Sequence, residues 1–189
     1  MGAEQEDFPL VAQEPISIVL VSYTDLEAMT LRSVLECFNY RVEIHRVGSR
    51  PQFIEILRGN VPTFRYVVLS CHGDENGLVI PYQSPVSATE LAQVAHLPGH
   101  IVVSLGCMTG TEALAQAFLN SGCEAYVAPT DYVHANAALI FAIHLFYFLA
   151  AKRSLSEAVE ESRKHDTGCS LFKLWCSGSQ MQGREDSEP

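Results

Sequence analysis

Ile101-Val102-Val103-Ser104-Leu105-Gly106-Cys107-Met108-Thr109-Gly110 decides how this chain folds. Its first half is an apolar run of strand length, Gly106 and Gly110 interrupt it, and Glu112 to Asn120 continues with helical spacing as far as Gly122. Upstream, Tyr66 to Cys71 is a second apolar run, which passes directly into His72-Gly73. Ile16 to Val21 is a third, followed from Asp25 to Phe38 by Leu26, Met29 or Thr30, Val34 and Phe38 at helical intervals, with Glu27, Arg32 and Glu36 on the other side.

Outward from these runs the alternation repeats. Arg41 to Val47 reads as a strand, Pro51 to Arg58 as a helix opened by its proline, Gly77 to Pro81 as part of a hairpin, and Glu124 to Ala128 as a strand. Ser87 to Glu90 and Ser154 to Glu157 have the capping-box form before helices, and Ser170 to Trp175 reads as a last strand. Strands alternating with helices predict an α/β fold, three-layered, with a mostly parallel sheet of about six strands and helices on both faces. Ala137 to Ala151 is almost wholly apolar, yet its 15 residues include His144 and fall short of the roughly 20 needed to span a bilayer, so it is read as a helix buried on the sheet.

Composition narrows the function. The 189 residues fit one domain, and 12 Lys plus Arg against 22 Asp plus Glu leave no basic field for a nucleic-acid backbone. Much of the acid excess lies at the ends: without Glu4, Glu6, Asp7, Glu14, Glu185, Asp186, Glu188 and Arg184 the body keeps 15 acids against 11 bases. Residues 1–15 and 177–189 are therefore expected as flexible acidic tails around a domain of residues 16–176. No charged, apolar leader precedes Ile16, which points to a reducing cytoplasm. The six cysteines include no C-x-x-C pair, and each reads by default as a small buried hydrophobe.

Reactive groups of parallel sheets gather at the carboxyl ends of the strands. Two strand ends here carry thiol chemistry: His72 and Cys107 supply an imidazole and a sulfur nucleophile. Gly73 permits close backbone approach, and the Gly73 and Cys107 N–H groups are candidate oxyanion donors. Gly106 and Gly110 are expected to allow a sharp turn that exposes the thiol near a helix amino end. Neither Ser70 nor Ser104 lies in a Gly-x-Ser-x-Gly elbow, which disfavours a serine hydrolase. Cys71, Cys123, His134 and His72 match no zinc spacing, and no glycine-rich phosphate loop is present, so neither a metal nor an organic cofactor is expected. His45, His96, His100, His144 and His165 show no pairing pattern and are taken as core or surface histidines.

Apolar blocks ending in His-Gly and in a small residue plus Cys resemble the caspase-like cysteine peptidases, which include caspases, gingipains, legumains and separases. Within them the chain is most similar to the CHAT peptidases. The likeness lies in Gly106-Cys107-Met108-Thr109-Gly110, Ala117-Phe118-Leu119-Asn120-Ser121-Gly122, Ala125 to Pro129, Asp131, Phe146-Tyr147-Phe148-Leu149 and Ser154-Leu155-Ser156-Glu157-Ala158. Gly106 and Thr130 depart from the Ala and Trp usual there. The resemblance implies a caspase-like sandwich and a cysteine endopeptidase acting on a protein substrate, as a regulated effector in a defence or cell-death system with a separate activating or regulatory protein. It further implies that Asp131 is a pocket carboxylate for a basic side chain before the cut, against the alternative of a cap on the following helix. Asp74 and Glu75 are candidates to orient His72 or meet a basic substrate, against the alternative of solvated hairpin charges. A catalytically silent scaffold or binding module on the same fold is the competing function.

Overall fold

The computed structural model describes residues 13–21 and 25–177, and the apolar runs of the sequence form its central sheet. In chain order the elements are β1 (Ile16–Leu20), α1 (Asp25–Cys37), β2 (Val42–Arg46), α2 (Arg50–Leu57), β3 (Tyr66–Ser70), β4 (His72–Asp74) and β5 (Gly77–Val79). There follow α3 (Ala88–Val94), β6 (Ile101–Ser104), α4 (Glu112–Asn120), β7 (Ala125–Pro129), α5 (Ala135–Ala150), α6 (Leu155–Arg163) and β8 (Phe172–Cys176). Six strands pair in the order β2-β1-β3-β6-β7-β8, all parallel except β8, while β4 and β5 form a separate two-stranded ribbon. This is the expected α/β sandwich.

The inner strands β1, β3, β6 and β7 are almost wholly apolar because both faces are covered, which is the rule for parallel sheets, whereas the edge strand β2 carries Glu43, His45 and Arg46. Successive residues go to opposite cores. Val67 and Val102 join Phe53, Leu57, Leu91 and Phe118 beneath α2, α3 and α4. Val68 and Val103 join Leu31, Leu35, Phe141, Phe146 and Val159 beneath α1, α5 and α6. The apolar α5 is one wall of that second core, and no helix of the described residues is long and apolar enough to cross a membrane.

Helix starts follow side-chain chemistry. Ser49 caps α2 with Pro51 in its first turn, and Ser154 and Glu157 close a full capping box on α6. At α3 only half the expected box forms: Ser87 accepts from the Glu90 N–H, but the Glu90 carboxylate pairs with Arg50 across to α2. The inward face of α1 also differs from expectation. Ala28, Leu31 and Leu35 are buried, whereas Leu26 and Met29 are 82% and 41% exposed. Spacing alone allows both stripes; the second also lets Glu27 turn inward and accept from the Ser70 hydroxyl at 2.8 Å.

Residues 1–12 and 178–189 of the expected tails lie outside the described residues. Within the described part of the first, Gln13 is buried, its N–H donates to the Asn39 carbonyl, and Glu14 pairs with Arg65. Residues 13–15 are thus attached to the body.

Candidate active site

Two loops leave the carboxyl ends of β3 and β6, and the ladder between those strands sets how they meet. Tyr66 pairs with Ile101 and Leu69 with Ser104, an offset of 35 residues, which is also the spacing from His72 to Cys107. Both lie just past the end of that ladder, His72 at the start of the ribbon strand β4 and Cys107 in the turn after β6. Glycine lets the loops touch: a Cβ on Gly73 would lie 2.3 Å from the Cys107 carbonyl oxygen and 2.4 Å from Thr109 Cγ2. A Cβ on Gly106 would meet His72 C at 3.1 Å and Cys71 Sγ at 3.2 Å.

The cysteine loop is held from below by buried polar groups. Thr109 Oγ1 is 2.8 Å from Ser104 Oγ and 2.7 Å from the Gly106 carbonyl, and the Tyr126 hydroxyl donates to the Thr109 carbonyl at 2.9 Å. From the side, the Met108 and Gly110 N–H groups donate to the Asp131 and Pro129 carbonyls at 3.2 and 2.8 Å. The turn differs from expectation in one respect. The left-handed residue is Met108, at φ 58°, rather than either glycine. Gly110 instead serves close approach, since a Cβ there would lie 2.7 Å from the Pro129 carbonyl oxygen.

Cys107 is partly exposed. Its thiol donates to the Val133 carbonyl at 3.3 Å and accepts from the Val133 N–H at 3.4 Å. Val133 immediately precedes His134, the N-cap of α5, so the sulfur lies by the amino end of α5 and not, as expected, by that of α4. His72 is exposed, and its ring makes no hydrogen bond among the described residues. Cys71 points the other way into the core, where burial pushes its thiol up to about 12.

The two N–H groups expected as oxyanion donors are those of Cys107 and Gly73. The Cys107 N–H donates to no described residue. Gly73 faces Leu78 across the ribbon, and both the N–H and the carbonyl of Leu78 bond to Val86, at 3.0 and 2.8 Å. In an antiparallel ladder that makes Gly73–Leu78 a non-hydrogen-bonded pair, so the Gly73 N–H is directed away from β5.

The carboxylates divide. Asp74 Oδ1 accepts from the Asn76 N–H at 2.8 Å and closes the hairpin turn. Asp131 is exposed beside the cysteine loop, with Oδ1 accepting from the Tyr132 N–H at 2.7 Å. It does not cap α5, whose N-cap is His134. Tyr132 and Glu75, joined by a 3.3 Å hydrogen bond, link the loop after β7 to the β4–β5 ribbon. Glu75 holds the Tyr132 hydroxyl above its ordinary range. Sequence reasoning missed this bridge, the Val133 contact and the Tyr126–Thr109–Ser104 network; Ser104, polar within an apolar strand, was the one signal for the last. It also missed the pairing of His144 with His165, whose rings are 4.8 Å apart. No group of three or more His, Cys, Asp or Glu able to hold a metal occurs among the described residues.

With this geometry established, comparison with known proteins gives one family. The CHAT domain matches residues 3–166. The chain belongs to the CHAT domain family. Two crystal structures of the Saccharomyces cerevisiae separase–securin complex, at 3.0 and 2.6 Å resolution, share the fold with TM-scores of 0.58 and 0.59. Both are 14% identical; they cover 86% and 88% of this CHAT domain, which spans 12% of the separase chain. The CHAT domain thus has the fold of a caspase-like cysteine peptidase. No curated protein sequence matches it.

Proposed function

We propose that the chain is a cysteine endopeptidase with a His72–Cys107 dyad. The observation that carries this reading is the close packing of the His72-Gly73 backbone against the Cys107 loop, where a Cβ on Gly73 would meet the Cys107 carbonyl oxygen and one on Gly106 would meet His72 C. The Cys107 thiolate attacks the scissile carbonyl carbon, and the Gly73 and Cys107 N–H groups receive the oxyanion, a contribution of roughly 3 kcal/mol for each donor. The carbon–nitrogen bond breaks as the His72 imidazolium gives its proton to the departing amine, leaving a thioester on Cys107. Neutral His72 then takes a proton from water, whose oxygen attacks the thioester carbonyl; the carboxylic acid leaves and the thiolate returns.

The substrate in this reading is a protein. Asp131, exposed beside the Cys107 loop, meets a basic side chain before the cut, and Asp74, which closes the hairpin turn, is the second candidate. A separate regulatory protein controls the enzyme, by analogy with separase in its complex with securin, and the setting is cytoplasmic.

The test is labelling of the purified chain by thiol-directed peptide probes that differ at the residue before the cut, with mass-spectrometric mapping of the modified cysteine. Label on Cys107 that is lost in His72→Ala and Cys107→Ala proteins of unchanged melting temperature supports the reading. Label spread over the exposed Cys37, or cleavage and cellular phenotype indifferent to both substitutions, would leave a silent scaffold instead.

A further inference from the structure

A cavity of about 300 Å³ opens at the carboxyl ends of β1 and β2, on the same edge of the sheet as the dyad but outside it. Leu20 and Val21 line it from β1, Val47 and Gly48 from the end of β2, and Ile80 and Pro81 from the chain that continues out of the His72 ribbon. Its two charged lining groups, Asp25 and Arg46, form an ion pair with each other. Tyr82 and Gln83 complete a mixed lining in which the two charges are paired and the Gln83 side-chain carbonyl accepts from the Arg50 N–H, so no unpaired charge faces an incoming group, which suits an apolar side chain rather than a charged one.

Its position along the edge fixes what reaches it. The strand order sets Asp131 past the end of β7, Cys107 past β6, His72 past β3 and the cavity over β1 and β2, in one line. In the dyad mechanism the acyl carbon bonds to sulfur and the leaving nitrogen takes its proton from His72. The substrate chain must then run from the β6 end toward β3, and beyond it lie β1 and the cavity. Neighbouring strands are about 4.8 Å apart, so the cavity is roughly 10–12 Å from the nucleophile's strand, or about three to four residues of extended peptide.

We infer that this cavity is a leaving-side subsite that takes a large apolar side chain of the protein substrate, three or four residues after the scissile bond. The inference rests on the peptidase reading and adds to it a second point of selection, on the opposite side of the dyad from Asp131. A peptide gripped on both sides of the cut is held along the whole sheet edge, and truncation on the leaving side lowers the rate although the bond to be broken is unchanged.

The test is digestion of a proteome-derived peptide library by the full chain, with cut sites read by mass spectrometry on both sides of the broken bond. Wild type is expected to enrich Leu, Met, Phe, Tyr or Trp about tenfold over Asp, Glu and Lys at the third or fourth residue after the cut, the low end for one pocket contact. Gly48 is exposed, and a Cβ there would meet only Gln52 Oε1, at 3.4 Å. Gly48→Trp therefore fills the cavity from its rim and is expected to flatten that enrichment to within about twofold of even. Val47→Ala widens the cavity and is expected to move the preference toward the aromatic residues. Melting curves establish that both variants fold. Even use of apolar and charged residues at both positions in wild type, or enrichment that survives Gly48→Trp, overturns the inference and leaves the peptidase reading in place. A wild-type chain that cuts nothing in the library overturns that reading, and this inference with it.

Discussion

Gly73→Ala puts the proposed site under the most direct strain. The added carbon would sit 2.3 Å from the Cys107 carbonyl oxygen and 2.4 Å from Thr109 Cγ2, where unstrained heavy atoms stay about 3.5 Å apart. Neither neighbour gives way easily. The oxygen belongs to the backbone, and rotating Thr109 takes its hydroxyl from Ser104 and the Gly106 carbonyl. The two loops must separate by roughly 1 Å, at a stability cost of about 3 kcal/mol, near the upper end for overpacking. For a chain of this length that is a fall of about 6–12 °C in melting temperature. A 1 Å displacement between reacting groups lowers the rate by about 100-fold, so labelling of Cys107 by a peptide probe slows to that extent even well below the melting transition. Gly48→Ala, which meets only Gln52 Oε1 at 3.4 Å, serves as the control and is expected to melt within a degree or two of wild type. A Gly73→Ala protein with wild-type melting and wild-type labelling would refute the contact between the loops, and the assembly of the site with it.

Tyr126→Phe leaves the buried Thr109 carbonyl without its donor and is expected to cost about 1–2 kcal/mol in thermal unfolding, with slower Cys107 labelling as the loop loosens. Asp131→Asn is expected to lower kcat/KM for substrates with Arg or Lys before the cut by about 10–100-fold and to spare substrates with a neutral residue there. Burial raises the Glu27 carboxyl above its ordinary value, against the opposing Ser70 hydrogen bond. The native state therefore holds the proton more tightly, and stability falls as pH rises from the ordinary carboxylate range through the raised native value. Glu27→Gln is expected to be the more stable protein in denaturant titrations at pH 7.5 and to lose that advantage by about pH 4. His144 is shifted the other way, downward, by burial and then by His165. The unfolded chain binds the proton first, so stability drops as pH falls below about 6.5, and His144→Asn is expected to lose less stability between pH 7.5 and 5.0 than wild type.

The layers and the mostly parallel sheet were legible because they depend on patterning that water imposes. Runs such as Ile16 to Val21 and Tyr66 to Cys71 are apolar but for Ser17 and Ser70, a pattern suited to a strand covered on both sides. What was not legible depended on partners distant in sequence. The inward face of α1 was settled by the Ser70 hydroxyl, 43 residues from Glu27. The Glu90 carboxylate, in place to complete a cap on its own helix, went to Arg50. At the site, His72, Gly73 and Cys107 stood out because histidine, glycine and cysteine interrupt apolar runs. Val133, Tyr132 and Tyr126 did not, because an apolar or aromatic residue among others of its kind carries no local mark of what it touches. Glycine signalled close approach at position 73, whereas Gly106 and Gly110, expected to make the turn, also serve close approach and the left-handed residue of the loop is Met108, which no rule of composition would choose.

The register links packing to chemistry more tightly than the motifs do. Val67 and Val102 face one core and Val68 and Val103 the other, so sliding β3 by one residue against β6 would move each valine to the wrong layer. The same slide would shift the segment that continues β3 into His72-Gly73 along the Cys107 loop it packs against. In the proposed peptidase the packing of β3 against β6 fixes the roots of the two segments that carry His72 and Cys107, and neither residue has to contribute to stability for that to be so. In that reading His72 is free to stay exposed and sparsely bonded, because the strand below it fixes the segment that carries it. Loss of activity through a core substitution in β3 or β6 would then not require that either His72 or Cys107 be touched.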